Sequence, residues 1–189
     1  AYMLWDESED NLVLGGVATI NGTEINVTAT NNIGIGVSAV DSITTGDYNV
    51  GFGDSAMTAT TEGSHNAAFG HYALNTNTTG GSNCAFGSRA LDVSTTASNN
   101  SAFGYSALSL TTTGAHNSAF GYGALQTDTV GARAVALGFN ALGTQNFTTA
   151  TDNYNIGIGY DAGGALTTGT ENTLIGGLAG DALTDADFN

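Results

Sequence analysis

The sequence predicts an all-β fold, a parallel β-roll or β-solenoid of nine coils with β-hairpins at its N-terminus. Three observations predict it. The chain repeats itself every 17 residues, it carries no apolar stripe of helical period, and it is built from small residues, with 28 glycines and no proline in 189 positions. A 17-residue unit is too short for a helix-turn-helix repeat, which takes over about 30 residues. With 41% apolar and only 10% charged residues, the chain has the composition of an ordered protein rather than a disordered one.

The repeat is marked first by glycine. Gly36, Gly53, Gly70, Gly87, Gly104, Gly121, Gly138, Gly159 and Gly176 each end a short apolar run, at spacings of 17 residues except for 21 between Gly138 and Gly159. That one longer interval predicts a four-residue insertion near 144–152, bulging as a loop. Three residues after each marker glycine stands an alanine, from Ala39 to Ala179. Four residues before it stands an asparagine, from Asn32 to Asn172, broken only by Ala134. Directly before it is a large apolar residue: Ile35, Phe52, Phe69, Phe86, Phe103, Phe120, Leu137, Ile158 or Ile175. Thr pairs such as Thr78-Thr79 and Thr112-Thr113 follow, then often a second glycine, as at Gly80 and Gly114.

Each unit therefore reads as a short strand, a small-residue corner, a Thr-rich segment and a glycine turn. Side chains alternate along a strand. Ser101, Phe103 and Tyr105 share one face, and Asn100, Ala102 and Gly104 the other. The bulky face is expected to form the inner core, with the Phe residues as a continuous column. The Ala/Gly face is expected to admit another backbone closely or to line a tight corner. Coils stack about 4.8 Å apart, so nine make a rod on the order of 40 Å long. The Asn column is expected to form an amide ladder. A core this thin is marginal alone, and oligomerisation through the Ala/Gly face would relieve that.

Residues 1–30 depart from the repeat and form the expected cap or adaptor. Tyr2–Trp5 and Asn11–Leu14 flank an acidic turn, and Val17–Val27 contains Asn21-Gly22, a type I′ turn signal. The shaft is expected over 31–183 and a tail over 184–189.

The net charge is −15, with Arg89 and Arg133 the only Lys or Arg residues. Phosphate neutralisation needs many such residues, so nucleic acid is excluded as a partner. Anionic lipid surfaces are disfavoured for the same reason. No apolar run reaches the roughly 18 residues of a membrane span, so no membrane insertion is expected. No secretory signal pattern is visible at the N-terminus. The single cysteine, Cys84, excludes an intrachain disulfide framework.

The units Asn100–Leu108 and Asn117–Leu125 resemble the N-T-A-x-G-Y-x-A-L repeats of phage tail fibres. They are also similar to the head repeats of trimeric autotransporter adhesins. The segment Leu4-Trp5-Asp6 to Asp10-Asn11-Leu12-Val13-Leu14 resembles a W-D-x-S-x-D-x-L hairpin of tail fibres. The resemblance implies an intertwined homotrimer in the virion, assembled with other tail or fibre proteins and contributing to attachment to a cell-surface glycan or protein receptor. A bacterial surface adhesin or extracellular fibre is the alternative, and an ice-binding solenoid carrying Thr ladders is a second.

Candidate sites are few. Tyr105, Tyr122, Phe139 and Tyr160 occupy one column and are either receptor-binding aromatics or an extension of the core. Asp6, Glu7, Glu9 and Asp10 are a weak calcium candidate, since the acidic turn lacks the spacing of a calcium loop. His65 and His116 lie three coils apart, roughly 14 Å, too far to share a metal. Cys84 reads as a small strand residue rather than a nucleophile, having no matching His or Asn in its coil. Neither catalytic residues nor a cofactor are expected, and the Gly-rich stretches follow the repeat rather than a cofactor motif.

Overall fold

A computed structural model describes residues 31–189 in full, and residues 2–6, 11–15, 17–20 and 23–26 as backbone strands. The described residues form an all-β protein without a helix. The strands are β1 (Tyr2–Asp6), β2 (Asn11–Gly15), β3 (Val17–Ile20), β4 (Thr23–Asn26), β5 (Ile33–Ile35), β6 (Val50–Phe52), β7 (Ala67–Phe69), β8 (Cys84–Phe86), β9 (Ser101–Phe103), β10 (Ser118–Phe120), β11 (Gly131–Ala132), β12 (Val135–Leu137), β13 (Thr151–Asp152), β14 (Ile156–Ile158) and β15 (Thr173–Ile175).

The nine repeat strands β5 to β10, β12, β14 and β15 lie side by side in one parallel sheet, delimiting about eight turns of a β-solenoid. Identical positions pair, as Ser101, Ala102 and Phe103 do with Ser118, Ala119 and Phe120. At the N-terminal edge, β4 adds antiparallel to β5, and β3 to β4. β1 and β2 pair antiparallel by themselves. The two expected hairpin turns, at 7–10 and 21–22, lie outside the described residues.

Each repeat strand is three residues long because the marker glycine ends it. Those nine glycines have φ between 126° and 143°, a conformation that L side chains rarely adopt. Space makes the same demand: a Cβ on Gly53 would lie 2.7 Å from the Gly70 carbonyl. Further corners come from single left-handed residues, such as Ser106 (φ 55°), Leu108 (φ 53°) and His116 (φ 62°) in one repeat. These turn the chain without proline, at a cost of about 1–3 kcal/mol each.

The core is the reverse of the expected one. Ala68, Ala85, Ala102, Ala119 and Ala136, the middle residues of their strands, are fully buried. Phe52 is 50% exposed and Phe120 39%. A 17-residue turn encloses a lumen too narrow for a Phe pointing inward from the strand. The lumen is filled instead by strand Ala, by the corner alanines, and by Val40, Met57, Leu74, Leu91, Leu108, Leu125 and Leu142, all fully buried. Each such Leu contributes about 1.5–3 kcal/mol by burial.

Volume is conserved from repeat to repeat. The last two repeats carry Gly163 and Gly180 in the Leu column, and there Leu166, Leu174 and Leu183 supply the missing bulk. In the repeats that have Met57 or a Leu in that column, the position of Leu166 holds a polar residue: Thr60, Asn77, Ser94, Thr111, Asp128 or Gln145, all buried.

The Asn ladder is the main polar element inside the coil. Asn117 N–H donates to Asn100 Oδ1 at 2.9 Å, and Asn100 Nδ2 donates to the Gly114 carbonyl at 2.9 Å. The same pair of bonds recurs from Asn32 and Asn49 onward. One amide thus satisfies a buried N–H of the next repeat and a buried C=O at its own turn. The Thr column is also internal in its bonding: Thr61, Thr78, Thr95 and Thr112 donate their hydroxyls to the carbonyl of the Thr one repeat on, at 3.0–3.1 Å.

The broken Asn position and the four-residue insertion are one event. Ala134 accepts nothing by a side chain, so Asn155 N–H turns to Asn153 Oδ1 at 2.9 Å. Asn155 Nδ2 donates to Gln145 Oε1 at 2.8 Å, and Gln145 Nε2 donates to Asp128 Oδ2 at 2.6 Å. Asp128 Oδ1 accepts Gly131 N–H at 2.9 Å. The relay runs donor to acceptor toward Asp128, so its last group must accept on both oxygens. A carboxylate does this and an amide does not. The insertion itself projects at Thr148, Thr149 and Ala150, which are exposed.

The expected tail is part of the last repeat. Asn189 N–H and Nδ2 both donate to Asn172 Oδ1, at 3.1 and 2.9 Å, extending the ladder. Periodicity hid this because no marker glycine follows residue 183.

Candidate functional site

Because the small strand face points inward, the outer strand face is where chemistry or recognition can occur. Two columns form it. The first runs Ile33, Val50, Ala67, Cys84, Ser101, Ser118, Val135, Ile156, Thr173. The second runs Ile35, Phe52, Phe69, Phe86, Phe103, Phe120, Leu137, Ile158, Ile175. The five Phe rings stack face to face, with centroids 4.5–6.0 Å apart and planes within 9°. This continuous Phe column was expected inside; it lies outside.

Tyr105, Tyr122, Phe139 and Tyr160 form a second ladder just past the marker glycines, with centroids 5.1–5.3 Å apart. They are 48–60% exposed, so this ladder does not extend the core. Successive rings cover one another's faces. The strip offers ring edges and Tyr hydroxyls outward rather than open π faces, so a sugar would meet it by edge contact and hydrogen bonding rather than by stacking.

The remaining candidates stay apart. His65 leans on Tyr48 at 5.0 Å between centroids, and His71 on Tyr72 at 4.0 Å. His116 is an exposed corner residue. Among the described residues no group of three or more His, Cys, Asp or Glu is placed to hold a metal. In the acidic calcium candidate, Asp6 ends β1, while Glu7, Glu9 and Asp10 lie outside the described residues. No described helix is long and apolar enough to cross a membrane.

Cys84 is a free thiol in the first outer column, level with Ala67 and Ser101. Burial pushes its pKa up, which favours the protonated thiol over the thiolate. Asp128 has its pKa raised by burial, against the opposing hydrogen bonds from Gln145 and backbone amides. Both arginines are engaged: Arg133 pairs with Asp152 at 3.0 Å and lies over Tyr154, while Arg89 lies over Tyr72 and 3.8 Å from Asp92.

Sequence reasoning missed the outer Phe face as a surface and the Asp128 relay. The relay had a legible signal: an Asp and a Gln stand where the second to fifth repeats have Thr, Asn or Ser, one on each side of Ala134. No protein-family model, curated protein or solved structure matches the chain.

Proposed function

We propose that this chain is a structural shaft segment of a phage tail fibre, a homotrimer in the virion that projects from the particle and contributes to host attachment. The observation that carries this reading is the repeat stack itself. Nine strands pair in register in one sheet, and the inward Ala, Leu and Asn columns are taken up by packing and by the ladder. Such a stack is suited to a load-bearing shaft, since each repeat is hydrogen-bonded to the next along the axis. The narrow lumen favours association of several copies, since one coil alone buries little apolar surface. Attachment to a cell-surface glycan or protein is assigned to Tyr105, Tyr122, Phe139 and Tyr160, the exposed aromatic strip. A bacterial surface adhesin of the same build is the alternative.

The ice-binding alternative gains no support from the Thr column, whose hydroxyls donate to carbonyls of the next repeat instead of standing free on a flat face. Light scattering at micromolar concentration tests the shaft reading. Three times the 18.9 kDa chain mass is expected, and a monomer overturns it. Mass spectrometry of purified virions tests the location, and finding the chain on a bacterial surface instead favours the adhesin.

A further inference from the structure

We propose that the outer strand face is a self-association surface on which a second copy of this chain packs parallel and level by level. This rests on the multimeric shaft reading above and names the surface and the orientation, replacing the Ala/Gly face, which the lumen has used up.

Charge is the first argument. The chain carries −15, yet none of the 18 positions in the two outer strand columns is ionised at neutral pH. Two copies of so acidic a chain approach closely only across an uncharged face, and this face is uncharged over all nine repeats.

Volume is the second. Where the second column holds Phe, the first holds a small residue, as in Ala67/Phe69 and Ser101/Phe103. Where the second column turns aliphatic, the first grows, as in Val135/Leu137 and Ile156/Ile158. Only the pairs Val50/Phe52 and Thr173/Ile175 stand above and below this balance. A surface facing water has no reason to hold its thickness constant. A surface packed against a partner at fixed spacing does, for the same reason that core volume is conserved.

The hydroxyls choose the direction. In a parallel arrangement Ser101, Ser118 and Thr173 each meet the same residue of the partner, hydroxyl against hydroxyl. In an antiparallel one centred on the fifth repeat, Thr173 meets Ile33 and Ser118 meets Cys84, leaving hydroxyls desolvated without a partner.

Thiol cross-linking tests this with two variants in a Cys84→Ser background, Val50→Cys in the second repeat and Ile156→Cys in the eighth. The probe is a bismaleimide reaching about 10 Å, the spacing of packed sheets. Each variant alone is expected to give covalent dimers. A co-refolded mixture is expected to give no Val50→Cys to Ile156→Cys product, since six levels separate those sites by about 29 Å in the parallel arrangement. Cross-links formed only between the two variants overturn the orientation. In parallel, Phe103→Lys is expected to yield a folded monomer and Tyr122→Lys to leave the assembly intact, with circular dichroism checking the fold. An assembly that survives Phe103→Lys and cross-links at neither site overturns this surface while leaving the fibre reading standing. A monomeric parent chain overturns the fibre reading itself.

Discussion

In the second to sixth repeats, each buried Asn accepts from the backbone of its successor and donates to the turn carbonyl beside it, as Asn83 does toward Asn100 and Ala97. Between Asp128 and Asn155, after a longer loop, the ladder N–H of Asn155 is met by a second Asn, Asn153, while Asp128 and Gln145 form a side-chain relay to the Asn155 amide. The comparison teaches that the solenoid constrains where an acceptor atom lies inside the coil, not which residue supplies it. Regular repeats meet the constraint with one residue. The interrupted repeat meets it with Asn153 from the longer loop, beside a side-chain relay whose direction a carboxylate terminates.

The largest expected effect breaks the regular part at its glycine. Gly87→Ala would place a Cβ 2.6 Å from the Gly104 carbonyl carbon at φ 136°, and is expected to cost about 2–5 kcal/mol in urea unfolding. Next is the ladder itself. Asn100→Ala strands Asn117 N–H and the Gly114 carbonyl in the lumen, with an expected loss of about 2–4 kcal/mol. The converse change sharpens the contrast. Ala134→Asn restores the repeat's own residue but inserts an amide where Asn153 and Gln145 already serve Asn155. It is expected to destabilise by about 1–3 kcal/mol through overpacking, where a gain would mean that the relay is dispensable.

A pH comparison reads the burial of the Asp128 charge, which outweighs the relay's opposing hydrogen bonds. Asp128 has a raised pKa in the folded state, so its contribution to stability is full below the unfolded-state carboxylate pKa and is lost as pH rises through the folded value. Relative to Asp128→Asn, which does not titrate there, the parent protein is expected to lose stability as pH rises above the ordinary carboxylate range. Equal slopes of Tm against pH for the two proteins would sink the assignment. The smallest effect concerns the corners. His116→Gly relieves a left-handed residue but loosens the unfolded chain, with a net gain of up to about 1 kcal/mol expected by thermal melting.

Much of this organisation was legible before any coordinates. The marker glycines, the Asn ladder and the insertion follow from spacing alone, because repeated backbone geometry demands repeated residues. The Tyr105–Tyr160 strip was legible as a column but not as a surface. Its exposure depends on the bend at each glycine, which alternation along a strand does not describe. The Asp128 relay was missed because its members are 17 and 10 residues apart and meet only across stacked turns.

By itself the sequence determined the period, the all-β class and the column assignments. It also determined that Ala102 and Phe103 face opposite ways, since neighbouring strand residues must. Only the tertiary structure decided which of the two is inside. Seventeen residues turned by left-handed corners close around a lumen wide enough for alanine from the strand and leucine from the far wall, and that width is a property of the closed turn. Phe therefore goes outside, and the apolar face expected as the core of one coil becomes the surface on which copies of the chain are proposed to meet.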